Sequence, residues 1–167
     1  MKKVLHITIL AFLAFLAFLA FLAFLAFLAF LALVLWVRLA PSNPAIWHVA
    51  LADQTAAVAG PCRNQIRIVP TGARATCLPL GDPATVLTHL DTAARAAPRT
   101  SRLAGTPQTG MITWISRSPL VGFPDYITAE VHATPQGTRL DIFSRQRFGQ
   151  GDHGVNAARL KAWLAGL

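Results

Sequence analysis

The chain has 167 residues, room for one ordinary domain, and its 54% hydrophobic content averages two unlike parts. Residues 9–37 are an unbroken run of Ile, Leu, Ala, Phe, Val and Trp, and the remainder has the composition of a soluble domain. Of 15 Lys and Arg, Lys2, Lys3 and Arg38 flank that run, leaving twelve against seven Asp and Glu. So mild a positive balance, with arginines scattered along the chain, argues against a nucleic-acid partner.

From residue 11 to residue 31 the triplet Ala-Phe-Leu repeats seven times, a low-complexity segment. As a helix, residues 9–37 would extend about 43 Å, against a hydrocarbon core of about 30 Å. The run therefore predicts a single transmembrane helix with length to spare, the excess taken up by tilt or by Trp36 at the headgroups. A period of three carries successive phenylalanines round the whole helix, so no face is set apart for a partner helix. A signal peptide's apolar region is about 7–15 residues, which favours an uncleaved anchor. Two lysines before the run and only Arg38 close behind it place the N-terminus in the cytoplasm. The expected setting is a bacterial inner membrane, with the bilayer as a partner and the C-terminal domain periplasmic. The expected organisation is an anchor over 1–40, a linker over 41–60 opening with Pro-Ser-Asn-Pro, and an extracytoplasmic domain over 61–167.

Within the domain, residues 66–69 and 74–78 read as short strands with Thr71-Gly72 as their turn. Asp82-Pro83 is a helix start, a capping residue followed by proline at the first helical position. Val86, Leu87, Leu90, Ala94 and Ala97 then recur on one face, and Pro98 closes the helix. Beyond residues 105–110, residues 111–118 are apolar and β-branched enough for a buried strand. Residues 126–133 and 139–148 alternate as a hairpin. With Gln136-Gly137 at its turn, Ala133 faces Leu140, Val131 faces Ile142, His132 faces Asp141 and Thr128 faces Arg145. A last helix runs from the capping residue Asp152 to Ala165, with Val155, Leu160, Trp163, Leu164 and Leu167 as its apolar positions. Strands in runs with helices apart indicate an α+β fold, an antiparallel sheet with two helices on one face.

The segment Ser144-Arg145-Gln146-Arg147-Phe148-Gly149-Gln150-Gly151-Asp152-His153-Gly154-Val155-Asn156-Ala157-Ala158-Arg159 resembles the C-terminal signature of a family known as domain of unknown function 1499. Its pattern reads S-R-x-R-x-G-x-x-D-x-G-x-N-x-x-R. Arg117-Ser118-Pro119 and Gly122-Phe123-Pro124-Asp125 resemble the family's preceding strand and turn. Many members carry a Cys-Pro-x-x-Pro-Asn-Cys segment near the start of the domain, where this chain has Cys62 alone. The resemblance covers roughly residues 63–167 and implies a domain without an established activity.

Three roles suit the polar residues of that segment. In the first they are scaffold: Asp152 caps the last helix, Asn156 bonds back to the glycine-rich loop, and Arg159 pairs with Asp125. In the second, Arg145, Arg147, Asp152, Asn156 and Arg159 form an anion site at the helix N-terminus, for an anionic small molecule or a lipid headgroup. In the third, Asp125, Asp152 and His153 supply acid and base to a small envelope hydrolase. No metal-binding spacing is present and no cofactor is expected. Cys62 and Cys77 enclose a loop of about 15 residues that an oxidising compartment would favour bridging, though two free buried thiols fit the sequence equally well.

Overall fold

A long stretch of uncharged side chains leaves its backbone no partner in an apolar solvent except itself, and the helix satisfies every peptide group locally. The computed structural model describes residues 2–51, 60–149 and 151–167. In it, α1 covers Lys2–Leu39, about 57 Å at the usual rise. Its phenylalanines are evenly exposed, 59% at Phe12 and 52% at Phe30, as a three-residue period requires. By length and composition α1 is able to cross a membrane, and no other described helix is. The chain divides into two compact units, Met1–Ala40 and Pro41–Leu167.

The second unit begins with a short helix α2 (Pro44–Trp47). The elements that follow are β1 (Arg67–Val69), β2 (Gly72–Cys77), α3 (Pro83–Ala96), β3 (Thr100–Thr106), β4 (Met111–Arg117), β5 (Pro124–Thr134), β6 (Gly137–Gln146) and α4 (Val155–Trp163). The six strands form one antiparallel sheet in the order β1-β2-β6-β5-β4-β3. Alternation sends Ala73, Ala75, Cys77, Ile112, Trp114, Ile127, Ala129, Val131, Leu140 and Ile142 to one face. There they bury Val86, Leu87, Leu90 and Ala94 of α3 and Leu160, Trp163 and Leu164 beside α4. Asp82 caps α3 by accepting from Thr85 N at 3.1 Å, with Pro83 next. Cys62 and Cys77 are joined, Cα to Cα 5.3 Å, and the Cys62 amide donates to the Leu167 carbonyl at 3.3 Å, tying the last residue to the start of the domain.

The α+β architecture with two helices on one face is as expected, but several details differ. Residues 41–51, read as linker, lie along the sheet face opposite the helices: the Ser42 hydroxyl bonds the Tyr126 hydroxyl at 2.7 Å, His48 Nδ1 bonds Thr113 Oγ1 at 2.9 Å, and Leu51 N donates to Glu130 Oε2 at 2.8 Å. Residues 52–59 lie outside the described residues. Strand β3 has no counterpart in the sequence reading, because it is a polar edge strand with a bulge between Arg102 and Ala104 that breaks its alternation.

The β5–β6 hairpin pairs Val131 with Leu140 and Ala129 with Ile142, two residues from the expected register. Its turn is centred on Pro135-Gln136, where proline's fixed φ suits the first central position, and Thr134 Oγ1 donates to the Gly137 carbonyl at 2.7 Å. A slip of two preserves the side-chain faces but changes the neighbours, so His132 stands opposite Arg139, Asp141 opposite Glu130, and Arg145 opposite Tyr126. Gly72 belongs to β2 rather than to a turn, since a Cβ there would lie 2.0 Å from the Ser144 carbonyl oxygen. Helix α4 starts at Val155, later than Asp152, and Val155 is exposed rather than packed.

Candidate functional site

The signature residues fall on both faces of the sheet. On the helix side, α4 carries Arg159, whose Nη2 donates to Asp125 Oδ2 at 3.0 Å and whose Nη1 donates to Ser144 Oγ at 3.0 Å and to Asn156 Oδ1. The Ser144 hydroxyl also donates to Asn156 Oδ1, and both of these residues are fully buried. Arg159 thus binds β5, β6 and α4 to one another with charge-assisted bonds. Asn156 serves this junction, and residue 150 of the glycine-rich loop lies outside the described residues.

Asp152 does not precede α4 directly; the helix is entered through His153 (φ 49°) and Gly154 (φ 81°), both left-handed. Its carboxylate nonetheless accepts from Gly154 N at 3.0 Å and Asn156 N at 2.8 Å, satisfying orphan amides at the helix start. Burial pushes the Asp152 carboxyl up, but these backbone donors outweigh it and hold the group below its ordinary range. Burial also pushes up Asp125, and there Arg159 only partly offsets it, while the nearby Asp152 charge adds to the rise. His153 is exposed. Both oxygens of Asp152 and Oδ2 of Asp125, the two carboxylates proposed for hydrolysis, are therefore engaged in holding the fold.

Arg145 and Arg147 project from the other face, apart from Arg159, so the three arginines do not converge on the start of α4. Arg147 fastens the incoming chain: its Nη1 donates to the Pro41 carbonyl at 3.0 Å and to Tyr126 Oη at 3.2 Å. Arg145 sits among aromatics. Its guanidinium lies 5.4 Å from the ring centroids of both Trp47 and Phe143, and Arg74, on neighbouring β2, lies 3.8 Å over the same Phe143 ring. Trp47 is held there by stacking on Tyr126, centroids 3.8 Å apart and rings inclined by 6°. Its carbonyl accepts from Arg145 Nη2 at 2.8 Å.

Among the described residues, Arg145 Nε is buried without a hydrogen-bond partner and no carboxylate pairs with Arg74 or Arg145. Burial, and then the charge of Arg74, lower the affinity of the Arg145 guanidinium for its proton. Arginines scattered in sequence are gathered with aromatics in space. Trp47, Arg74 and Phe143 were not singled out from the sequence. The signals were present: Asn43-Pro44 announces α2, with Asn43 Oδ1 capping Ala45 N at 3.0 Å, and strand alternation puts Arg74 and Phe143 on the face away from the core.

Among the described residues no group of three or more His, Cys, Asp or Glu side chains is placed to hold a metal ion.

Fold and site together define an α+β domain behind an apolar helix, with its signature residues split between an interior junction and an arginine–aromatic face. Residues 41–167 match the family described as "Protein of unknown function (DUF1499)", and the chain belongs to it. No curated protein and no solved structure matches the chain.

Proposed function

We propose that this is a bitopic inner-membrane protein of a bacterial envelope whose extracytoplasmic domain is a non-enzymatic binding or scaffolding module for an anionic ligand. Helix α1 is the anchor, with Lys2 and Lys3 on the cytoplasmic side. The Cys62–Cys77 bridge supports an oxidising compartment for the domain. A reporter fused after Leu167 tests the orientation: activity confined to cytoplasmic reporters would reverse it.

The observation that carries the ligand reading is Arg145, a half-buried guanidinium with an unsatisfied Nε and a second arginine beside it. An unpaired charge in that position destabilises the empty domain, and an anion bridging Arg74 and Arg145 relieves both the desolvation and the repulsion. The ligand is a phosphate or carboxylate group, and the Trp47 and Phe143 rings add an apolar wall. The full chain in non-ionic detergent, titrated calorimetrically with inorganic phosphate and with a soluble short-chain phosphatidylglycerol, tests it. Saturable binding that weakens at least about tenfold in Arg145→Gln, the loss of one charge-assisted bond, supports the site. No binding up to millimolar concentration, or binding indifferent to that substitution, overturns it.

The hydrolytic reading has one observation in its favour, the opposite displacement of the Asp125 and Asp152 carboxyls. Burial beside a fixed junction accounts for the rise of Asp125, and the backbone amides of Asn156 and Gly154 account for the fall of Asp152, so the binding reading is preferred.

A further inference from the structure

We propose that the β4–β5 end of the domain is a bilayer-docking surface, in which Leu120 enters the interfacial region and Arg99 and Arg117 meet the phosphates of anionic phospholipids. This inference rests on α1 being a membrane anchor and is independent of the Arg145 site. Leu120 is 87% exposed at the tip of the connection between β4 and β5. The loop beneath it is cross-linked by hydrogen bonds. Ser118 Oγ accepts from Gly122 N at 3.1 Å and Phe123 N at 3.0 Å, Ser118 N donates to the Phe123 carbonyl at 3.0 Å, and Arg117 Nη1 donates to the Gly122 carbonyl at 3.0 Å. A large aliphatic side chain held outward on a cross-linked loop loses little conformational entropy when it enters lipid.

Charge lies beside it. Arg99 and Arg117 are joined across the sheet end, Arg117 N to the Arg99 carbonyl at 3.0 Å and Arg99 Nε to the Arg117 carbonyl at 3.2 Å. Among the described residues neither pairs with a carboxylate. An apolar knob flanked by uncompensated arginines is the chemistry of an interfacial anchor on an anionic leaflet.

The position of Pro41 selects the bilayer over other apolar partners. Arg147 holds the Pro41 carbonyl, and the Arg147 amide donates to the Pro124 carbonyl at 3.3 Å, directly beyond the Leu120 loop. Pro41 is two residues past Leu39, the last residue of α1. The covalent chain therefore enters the domain at the end that displays Leu120, and leads from there along the open sheet face to Leu51 at Glu130.

The test uses the full chain in vesicles of phosphatidylethanolamine and phosphatidylglycerol, with Leu120→Cys carrying an environment-sensitive fluorophore. Gln136→Cys, at the exposed hairpin tip of the opposite sheet end, is the control. Expected are quenching of the Leu120 probe by a headgroup-level lipid quencher, and little at position 136. Arg99→Gln and Arg117→Gln should each lower the ratio of docked to undocked domain about fivefold, from roughly 1 kcal/mol per arginine near an anionic surface. Equal quenching at the two positions, in a chain that stays with the vesicles at alkaline pH, overturns docking and leaves the anchor standing. Release of the chain from the vesicles by alkali overturns both.

Discussion

Asp91, on α3, is the acceptor on which one side of the core depends. It is 7% exposed and receives Trp114 Nε1 at 2.9 Å, Arg102 Nε at 3.1 Å and Arg102 Nη2. Trp114 is fully buried and packs edge-on against Trp163, ring centroids 5.6 Å apart. Asp91→Ala strands the indole N–H away from water, which costs about 1–3 kcal/mol. It also removes the ion pair to Arg102, worth only about 0.5–1 kcal/mol because that side chain is 32% exposed. A loss of about 1.5–4 kcal/mol follows, or roughly 10 °C in Tm for a domain of this size. Asp91→Asn keeps an acceptor for Trp114 and should lose about 1 kcal/mol.

The pH dependence has a definite sign. Burial acts to raise the Asp91 carboxyl, but the bonds from Arg102 and Trp114 prevail and hold it below its ordinary value of 3.8. Its contribution is therefore complete above that value and is lost as pH falls through the lower folded value. Urea unfolding of the full chain in detergent, followed by circular dichroism from pH 7 to pH 3, measures this. Asp91→Ala as stable as wild type, or a difference that persists unchanged into acid, would refute the reasoning.

Asp125 has the opposite sign: its folded value is raised, so stability should fall as pH climbs from about 4 through that value. Asp125→Asn should flatten the decline, and an unaltered pH profile by the same unfolding assay would count against a buried, partly compensated carboxylate. Reducing the Cys62–Cys77 bridge, or Cys62→Ser with Cys77→Ser, should cost about 3 kcal/mol for a loop of 15 residues; an unchanged urea midpoint would show that the bridge contributes nothing. Gly105→Ala should cost at least about 2 kcal/mol, because the residue has φ +83° and a Cβ there would lie 2.0 Å from the Met111 carbonyl oxygen. Thermal unfolding within 1 °C of wild type would argue against that backbone geometry.

Much of the architecture was legible because it is local. Asp82-Pro83 starts a helix by chemistry within one turn, and the alternation in residues 126–133 names the buried face of β5 wherever its partner lies. β3 was missed because an edge strand with a bulge keeps neither apolar period nor β-branched content. The hairpin register erred by two for a related reason: apolar alternation repeats every second residue, so it cannot distinguish the observed pairing from one displaced by a full period. Only the turn geometry at Pro135-Gln136 decides.

The candidate site divides in the same way. Sequence alone determined that residues 144–159 carry a dense polar signature, that Asp152 serves the start of a helix, and that the apolar run over residues 9–37 is long enough to cross a bilayer. It could not determine which arginines share a surface. Arg145 and Arg159 lie fourteen positions apart on the chain, but strand parity and the return of α4 over the core send them to opposite faces. Arg74 and Trp47, distant in sequence, meet Arg145 because β2 pairs with β6 and residues 41–51 lie over the open face. Periodicity within an element is written in adjacent residues; proximity between elements depends on long-range pairing, and that only the folded chain specifies.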